Sequence, residues 1–257
     1  MSNKRVSKLA IVPDNNEKPV VNRNNTLRLK IDNLKTFDPL TPNQKKFFEA
    51  YKRGDYFIAL HGVAGTGKSF IALYKALEEV LDKSNPFNKI IIVRSAVQSR
   101  DMGHLPGDID EKLDIYQQPY HQICTTLFDR KDAYDRLVEQ NHIEFISTSF
   151  IRGMSFDDAI IIVDEMQNCN YSELQTVITR VGHRSKIIFC GDYRQTDLIK
   201  NKGDMSGIKK FLEIASNMPC HTRIEFNIDD IVRSSLVRDW IIAETNYNDL
   251  VVDGLKS

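Results

Sequence analysis

Several short runs of the chain are apolar almost without interruption: YFIALHG at 56–62, KIIIV at 89–93, AIIIVDE at 159–165 and KIIFCGD at 186–192. They are rich in β-branched residues and lack the strict alternation of a strand with one wet face. Such runs predict strands covered by helices on both sides of a sheet. IEFIS at 143–147 and TRIEF at 222–226 are further strand candidates. Between them the period lengthens. PNQKKFFEAYKRGD predicts a helix with Pro42 in its first turn, Phe47, Phe48 and Tyr51 on one face, and Gly54 as its stop. Residues 68–81 put Ile71, Tyr74 and Leu77 on one face. Leu174, Val177, Ile178 and Val181 recur at i, i+3, i+4 and i+7, with Ser172 and Gln175 offering a capping box. Ile208, Phe211, Leu212 and Ala215 repeat that spacing, and a last helix surrounds Trp240. Residues 95–141 break the rhythm with GHLPGD and then IDEKLDIYQQPYHQICTTLF, a long loop followed by helices. The alternation predicts an α/β fold: an open, mainly parallel sheet with helices on both faces and ligands at the carboxyl ends of its strands.

A chain of 257 residues with 41% hydrophobic content supports one main domain. Its net charge is zero, but the first 36 residues hold eight Lys or Arg against three acids, a net of +5, and no aromatic residue. Residues 1–36 therefore predict a basic, flexible arm, either a solvated tail or a nucleic-acid-binding element, ahead of a folded domain at 37–257. Four cysteines have no C-x-x-C spacing, and three of them lie beside predicted strands or helices where a buried thiol fits, which predicts a reducing compartment. His121 and Cys124 have no second pair to complete a zinc site and are read as core. No stretch approaches the ~20 apolar residues of a membrane span, and the N-terminus lacks the apolar centre of a signal peptide. A soluble, cytoplasmic protein without a membrane partner is expected.

The chemistry is concentrated in three stretches. HGVAGTGKSF at 61–70 places Gly62, Val63, Ala64, Gly65, Thr66, Gly67, Lys68 and Ser69 in the pattern of a phosphate-binding loop between a strand and a helix. Glycines let backbone N–H groups turn toward phosphate oxygens at a helix N-terminus. Lys68 adds a point charge near the β and γ phosphates, and the Ser69 hydroxyl suits Mg²⁺. In AIIIVDEMQN an apolar strand delivers Asp164 to the sheet's edge as a second Mg²⁺ ligand. Glu165, expected to point differently because strand side chains alternate, is placed to deprotonate water. Hydrolysis is thus favoured over simple binding. FCGDYRQTD at 189–197 ends a strand and carries Gln195 beyond it, where an amide can contact a γ-phosphate and an attacking water; an Asp-rich turn is the other reading.

LTPNQ, HGVAGTGKS, LPGDIDEKLDIYQQPY, FIRGMSFDDAIIIVDEMQN, GDYRQTDL and DDIVRSSLV follow one another between Leu40 and Tyr247. In that order they resemble the PhoH family of P-loop ATPases, in the short form found in many bacteriophages, which is itself similar to the first motor domain of superfamily 1 helicases. The resemblance implies a RecA-like P-loop NTPase fold, ATP and Mg²⁺ as cofactors, and helicase-like coupling to single-stranded RNA or DNA. It also implies a homo-oligomer, a hexameric ring, in the host cytoplasm. Gln44 matches the glutamine that reads adenine, and Gln195 the one that senses the γ-phosphate. Arg233 matches a family arginine suited to transition-state charge, expected from a neighbouring subunit, with Arg152 as the alternative and Arg94 and Arg100 as other cations near strand ends. Two stretches depart from the family pattern: Ser234 and Ser235 replace its His and Pro, and AVQSRDMGH replaces an acidic, glycine-containing segment. The competing class is a nucleotide-dependent assembly or switch module that hydrolyses slowly and moves along no strand.

Overall fold

The apolar runs become strands β1 (Phe57–Gly62), β2 (Lys89–Arg94), β3 (Ile143–Ser147), β4 (Ala159–Val163), β5 (Lys186–Gly191) and β6 (His221–Phe226) in a computed structural model that describes residues 28–95, 109–192 and 202–254. All pair in parallel, in the order β3-β2-β4-β5-β1-β6. The helices are α1 (Pro42–Arg53), α2 (Lys68–Leu81), α3 (Ile109–Phe128), α4 (Ala133–Glu139), α5 (Tyr171–Ile178), α6 (Lys202–Ala215) and α7 (Ser235–Gly254). Alternation along each strand divides the core in two. Ile58, Leu60, Ile90, Ile92 and Ile188 pack with Phe47 of α1, Leu73 of α2, Leu127 of α3 and Leu137 of α4. Phe57, Ala59, Ile91, Val93 and Phe189 pack on the opposite face with Leu174 of α5 and Phe211 of α6. Helices therefore cover both faces, as continuous apolar strands require. Because only β5 separates β1 from β4, their carboxyl ends lie about 10 Å apart.

Three expectations are corrected. The capping box of α5 uses Asn170 and Glu173 in place of Ser172 and Gln175: Asn170 Oδ1 accepts from the Glu173 N–H (3.0 Å), and Glu173 accepts from the Asn170 N–H (2.9 Å). Val181 lies beyond the end of that helix and bridges to Phe156 instead. The segment 1–36, expected to be a flexible arm throughout, is folded onto the domain over its last residues. Leu29 is buried in the core, and the Lys35 N–H donates to the Leu127 carbonyl (2.8 Å). Leu29, between two charges, Arg28 and Lys30, and the partly buried Leu34 pack on the core from a stretch whose average composition is polar. Residues 1–27 and the GHLPGD loop lie outside the described residues. All four cysteines are free, and burial pushes the Cys124 thiol up to about 12. Among the described residues, no helix is long and apolar enough to cross a membrane.

After β6 a 3₁₀ turn, Ile228–Asp230, ends in a carboxylate that is 1% exposed. Asp230 accepts from Asn43 Nδ2 (2.6 Å) and from the Asn227 N–H (3.0 Å), which joins this turn to the first turn of α1. Burial pushes its pKa up, but hydrogen bonds from Thr41, Asn227 and Asn43 outweigh burial and hold it below the ordinary carboxylate range. A carboxylate lowered on folding contributes stability that is complete above the unfolded pKa of about 3.9 and is lost as pH falls through the folded value. Asp230→Asn should therefore destabilise the protein near neutral pH by about 1–3 kcal/mol in urea unfolding. Its deficit relative to the unmodified chain should shrink as pH falls below the unfolded value. A deficit that stays constant across that range would refute the assignment.

Candidate functional site

The chain leaves β1 at Gly62, where φ is 119° and a Cβ would stand 2.0 Å from the Phe226 carbonyl oxygen. Only glycine lets the loop begin pressed against the end of β6, where the Val63 N–H donates to that same carbonyl (3.0 Å). At the other end Gly67 takes φ 80° as the residue before α2, turning the chain so that the first amides of the helix face the loop. Lys68 Nζ lies inside the turn and donates to the carbonyls of Gly62 (2.9 Å) and Val63 (2.7 Å) and to Thr66 Oγ1 (3.2 Å). Burial lowers its pKa, opposed by Asp192, Cys190, Glu165 and Asp164 without being cancelled. Anionic oxygens bind an ammonium more strongly than carbonyls do, so these internal bonds can be exchanged for phosphate.

At the end of β4, Asp164 is buried and held on both oxygens. Ser69 Oγ donates to Oδ1 (2.7 Å), and the Tyr120 hydroxyl donates to Oδ2 (2.8 Å). Ser69 and Asp164 thus meet, as two predicted ligands of one cation must. Among the described residues no group of three or more His, Cys, Asp and Glu is placed to hold a metal. One carboxylate and one hydroxyl fit Mg²⁺, which commonly takes its other ligands from water and substrate phosphate.

Glu165 departs from the strand alternation expected for it. β4 stops at Val163, and Glu165 adopts a left-handed backbone (φ 52°, ψ 45°) that opens the 3₁₀ turn Met166–Asn168. Its direction is set by this kink, and its carboxylate accepts a hydrogen bond from Gln167 Nε2. Gln167 Oε1 in turn accepts from the Asp192 N–H (3.1 Å) at the end of β5. A Cβ on Gly191 would stand 2.5 Å from that amide oxygen, so the close approach depends on the glycine. Burial raises the Glu165 pKa, Asp164 adds to the rise, and Arg94, Gln167 and Lys68 only partly oppose it. A carboxylate raised in this way is a better base toward water than an exposed one.

A cavity of about 600 Å³ opens over the loop and is lined by Gln44, Lys68, Asp164, Glu165, Asp192 and Arg233 among others. Gln44, 3% exposed, accepts from the Leu40 N–H (2.8 Å) and donates to the Thr66 carbonyl (3.0 Å). An amide has two donors and an oxygen with two lone pairs, so Gln44 braces the loop and retains one valence of each kind. Arg233 lines this cavity from the segment after β6. The Val232 N–H donates to the Gly65 carbonyl (3.0 Å), and Arg233 Cγ lies 3.0 Å from where a Cβ of Gly65 would be. This arginine therefore stands beside the loop of its own chain, because the segment after β6 crosses that loop. Arg94 also lines the cavity and donates to the Tyr116 carbonyl (3.3 Å), whereas Arg152 is exposed in a turn away from it. Gln195 and Arg100 lie outside the described residues. The sequence reading assigned no role to Gln167 or Tyr120. Gln167 was present in the DEMQN motif, and Tyr120 shares an apolar i, i+4, i+7 face with Cys124 and Leu127, where a buried hydroxyl needs a partner.

Comparison with known proteins agrees with this geometry. The family model described as "PhoH-like protein" matches residues 36–244. The PhoH-like protein of Bacillus subtilis is 35% identical over 209 residues, covering 81% of this chain and 64% of its own length. That of Mycobacterium leprae is 31% identical over 225 residues, covering 87% and 63%. Protein PhoH of Escherichia coli is 32% identical over 177 residues, covering 68% and 49%. The chain thus spans less than two thirds of the length of these relatives. With the phosphate loop, the Ser69–Asp164 pair and a parallel sheet of P-loop type in place, the chain belongs to the PhoH-like family of P-loop ATPases.

Proposed function

We propose that this protein hydrolyses ATP with Mg²⁺ and couples turnover to a single-stranded nucleic acid, RNA or DNA. The observation that carries the hydrolytic reading is Glu165: a carboxylate of raised pKa, held by Gln167, lining the same cavity as Lys68 and Asp164. Mg²⁺, held by Ser69 and Asp164, would supply charge neutralisation between the β and γ phosphates. Lys68 exchanges its loop carbonyls for phosphate oxygens, Glu165 takes the proton of the attacking water, and Arg233 meets the developing charge from the same chain.

A nucleic-acid partner is supported by the turn after β3, where Phe150 and Met154 are exposed on either side of Arg152. An aromatic face beside a guanidinium suits base stacking with phosphate pairing, and the basic N-terminal residues add an electrostatic term. Assembly into a ring is supported by exposed apolar side chains: Leu40 and Val232, which line the cavity, and Leu236 (78% exposed) and Trp240 (68% exposed) one turn apart on α7. The alternative of a switch or assembly module without translocation shares the ATP site and differs in its response to RNA.

Lys68→Ala should abolish nucleotide binding, whereas Glu165→Gln should retain it and lower kcat by about 10²–10⁴. Turnover at the normal rate by the glutamine variant would remove Glu165 as the base. Gln44→Ala should reduce the preference for ATP over GTP by about 1–3 kcal/mol and weaken both nucleotides through the loosened loop; equal competition by GTP in the unmodified protein would exclude adenine reading. Paired Phe150→Ala and Arg152→Ala changes should weaken single-stranded RNA by about 1–3 kcal/mol for one stacked base and leave basal ATPase activity unchanged. If RNA neither binds nor alters the ATPase rate of the full chain, the switch reading replaces the motor.

A further inference from the structure

Tyr120 lies on α3, a helix distinct from both the phosphate loop and β4, yet its hydroxyl reaches Asp164 Oδ2 at 2.8 Å. The ring is fully buried, with Phe145 of β3 at 6.0 Å between centroids. One turn earlier, Arg94 donates to the Tyr116 carbonyl (3.3 Å), which ties α3 to the end of β2. The phenol is therefore held by packing and by its helix, independently of the loop.

The two hydrogen bonds on Asp164 are not equivalent. Ser69 is itself a candidate cation ligand, so its hydroxyl must turn a lone pair toward the cation and change the direction of its proton. The terminal torsion of an Asp side chain is broad and soft. Only a donor that takes no part in coordination can keep that torsion fixed while Ser69 reorients. Tyr120 is such a donor.

We infer that Tyr120 is a positioning residue for the cation site: by holding Asp164 Oδ2 from α3, it fixes the rotation at which the carboxylate is presented beside Ser69. This rests on the reading of Ser69 and Asp164 as the cation ligands. An ordinary phenol, with a pKa of about 10, is a donor throughout the neutral range. Phe at this position would fill the same space and leave the carboxylate free to rotate.

The test is Mn²⁺ binding, followed by electron paramagnetic resonance, to the full chain with a non-hydrolysable ATP analogue. Groups that orient a metal ligand from behind typically change affinity by about 10- to 100-fold, and a loss in that range is expected for Tyr120→Phe. Binding of the analogue in EDTA and the circular dichroism spectrum should not change, which separates cation positioning from a packing defect. Tyr120→Phe affinity within twofold of the unmodified protein, in a chain where Asp164→Asn abolishes Mn²⁺ binding, would overturn the role of Tyr120 and leave the cation site standing. An unmodified protein that binds no Mn²⁺ with the analogue would overturn the cation site and this inference with it.

Discussion

The hydrogen bond from Ser69 Oγ to Asp164 Oδ1, 2.7 Å long, joins the first turn of α2 to the end of β4 across 95 residues of sequence. It can form only if β1 and β4 end at the same height with one strand between them. The order β4-β5-β1 meets that requirement, and the two apolar layers on either side of the sheet hold it. Small shifts in strand register would separate hydroxyl from carboxylate. The cores under α1–α4 and over α5–α6 are therefore part of the site's geometry as well as of its stability.

The loop is also gripped from outside the sheet. Gln44 bridges Leu40 to Thr66, Val232 bonds Gly65, and Val63 packs with Ile231 and Ile241 in a small core of its own. Asp230 then binds the first turn of α1 to the segment after β6. The phosphate loop thus sits in a frame made by residues from both ends of the domain. That same frame meets α7 through Ile241.

Charge at the site is balanced by proximity and burial together. Lys68 is lowered and Glu165 raised, mainly because both leave water. Each is thereby brought closer to exchanging a proton or a partner. An anionic ligand near Lys68 strengthens the ammonium, and a cation near Asp164 relieves one of the repulsions that raises Glu165. Ligand and cation therefore act on the same electrostatic balance.

The parallel sheet and its helices were legible because uninterrupted apolar strands and 3.6-residue periodicity are local properties. The phosphate loop was legible too, since Gly62 to Ser69 are consecutive residues whose conformations serve one turn. Asp164 could be placed because it ends an apolar strand. Beyond that, sequence neighbours were poor guides. The direction of Glu165 follows from a left-handed backbone that strand alternation cannot foresee, and the cap of α5 falls on Asn170 because the helix begins two residues earlier than Ser172 suggests. Leu29 disappears into the average of a basic segment, although its side chain is buried in the core. Tyr120 with Asp164, Gln167 with Asp192, and Asp230 with Asn43 are pairs separated by 44, 25 and 187 residues. Local chemistry determined which groups this chain could bring to a phosphate; only the packing of distant elements decided which of them face one another, because a hydrogen bond depends on ångströms in space and is indifferent to separation along the chain.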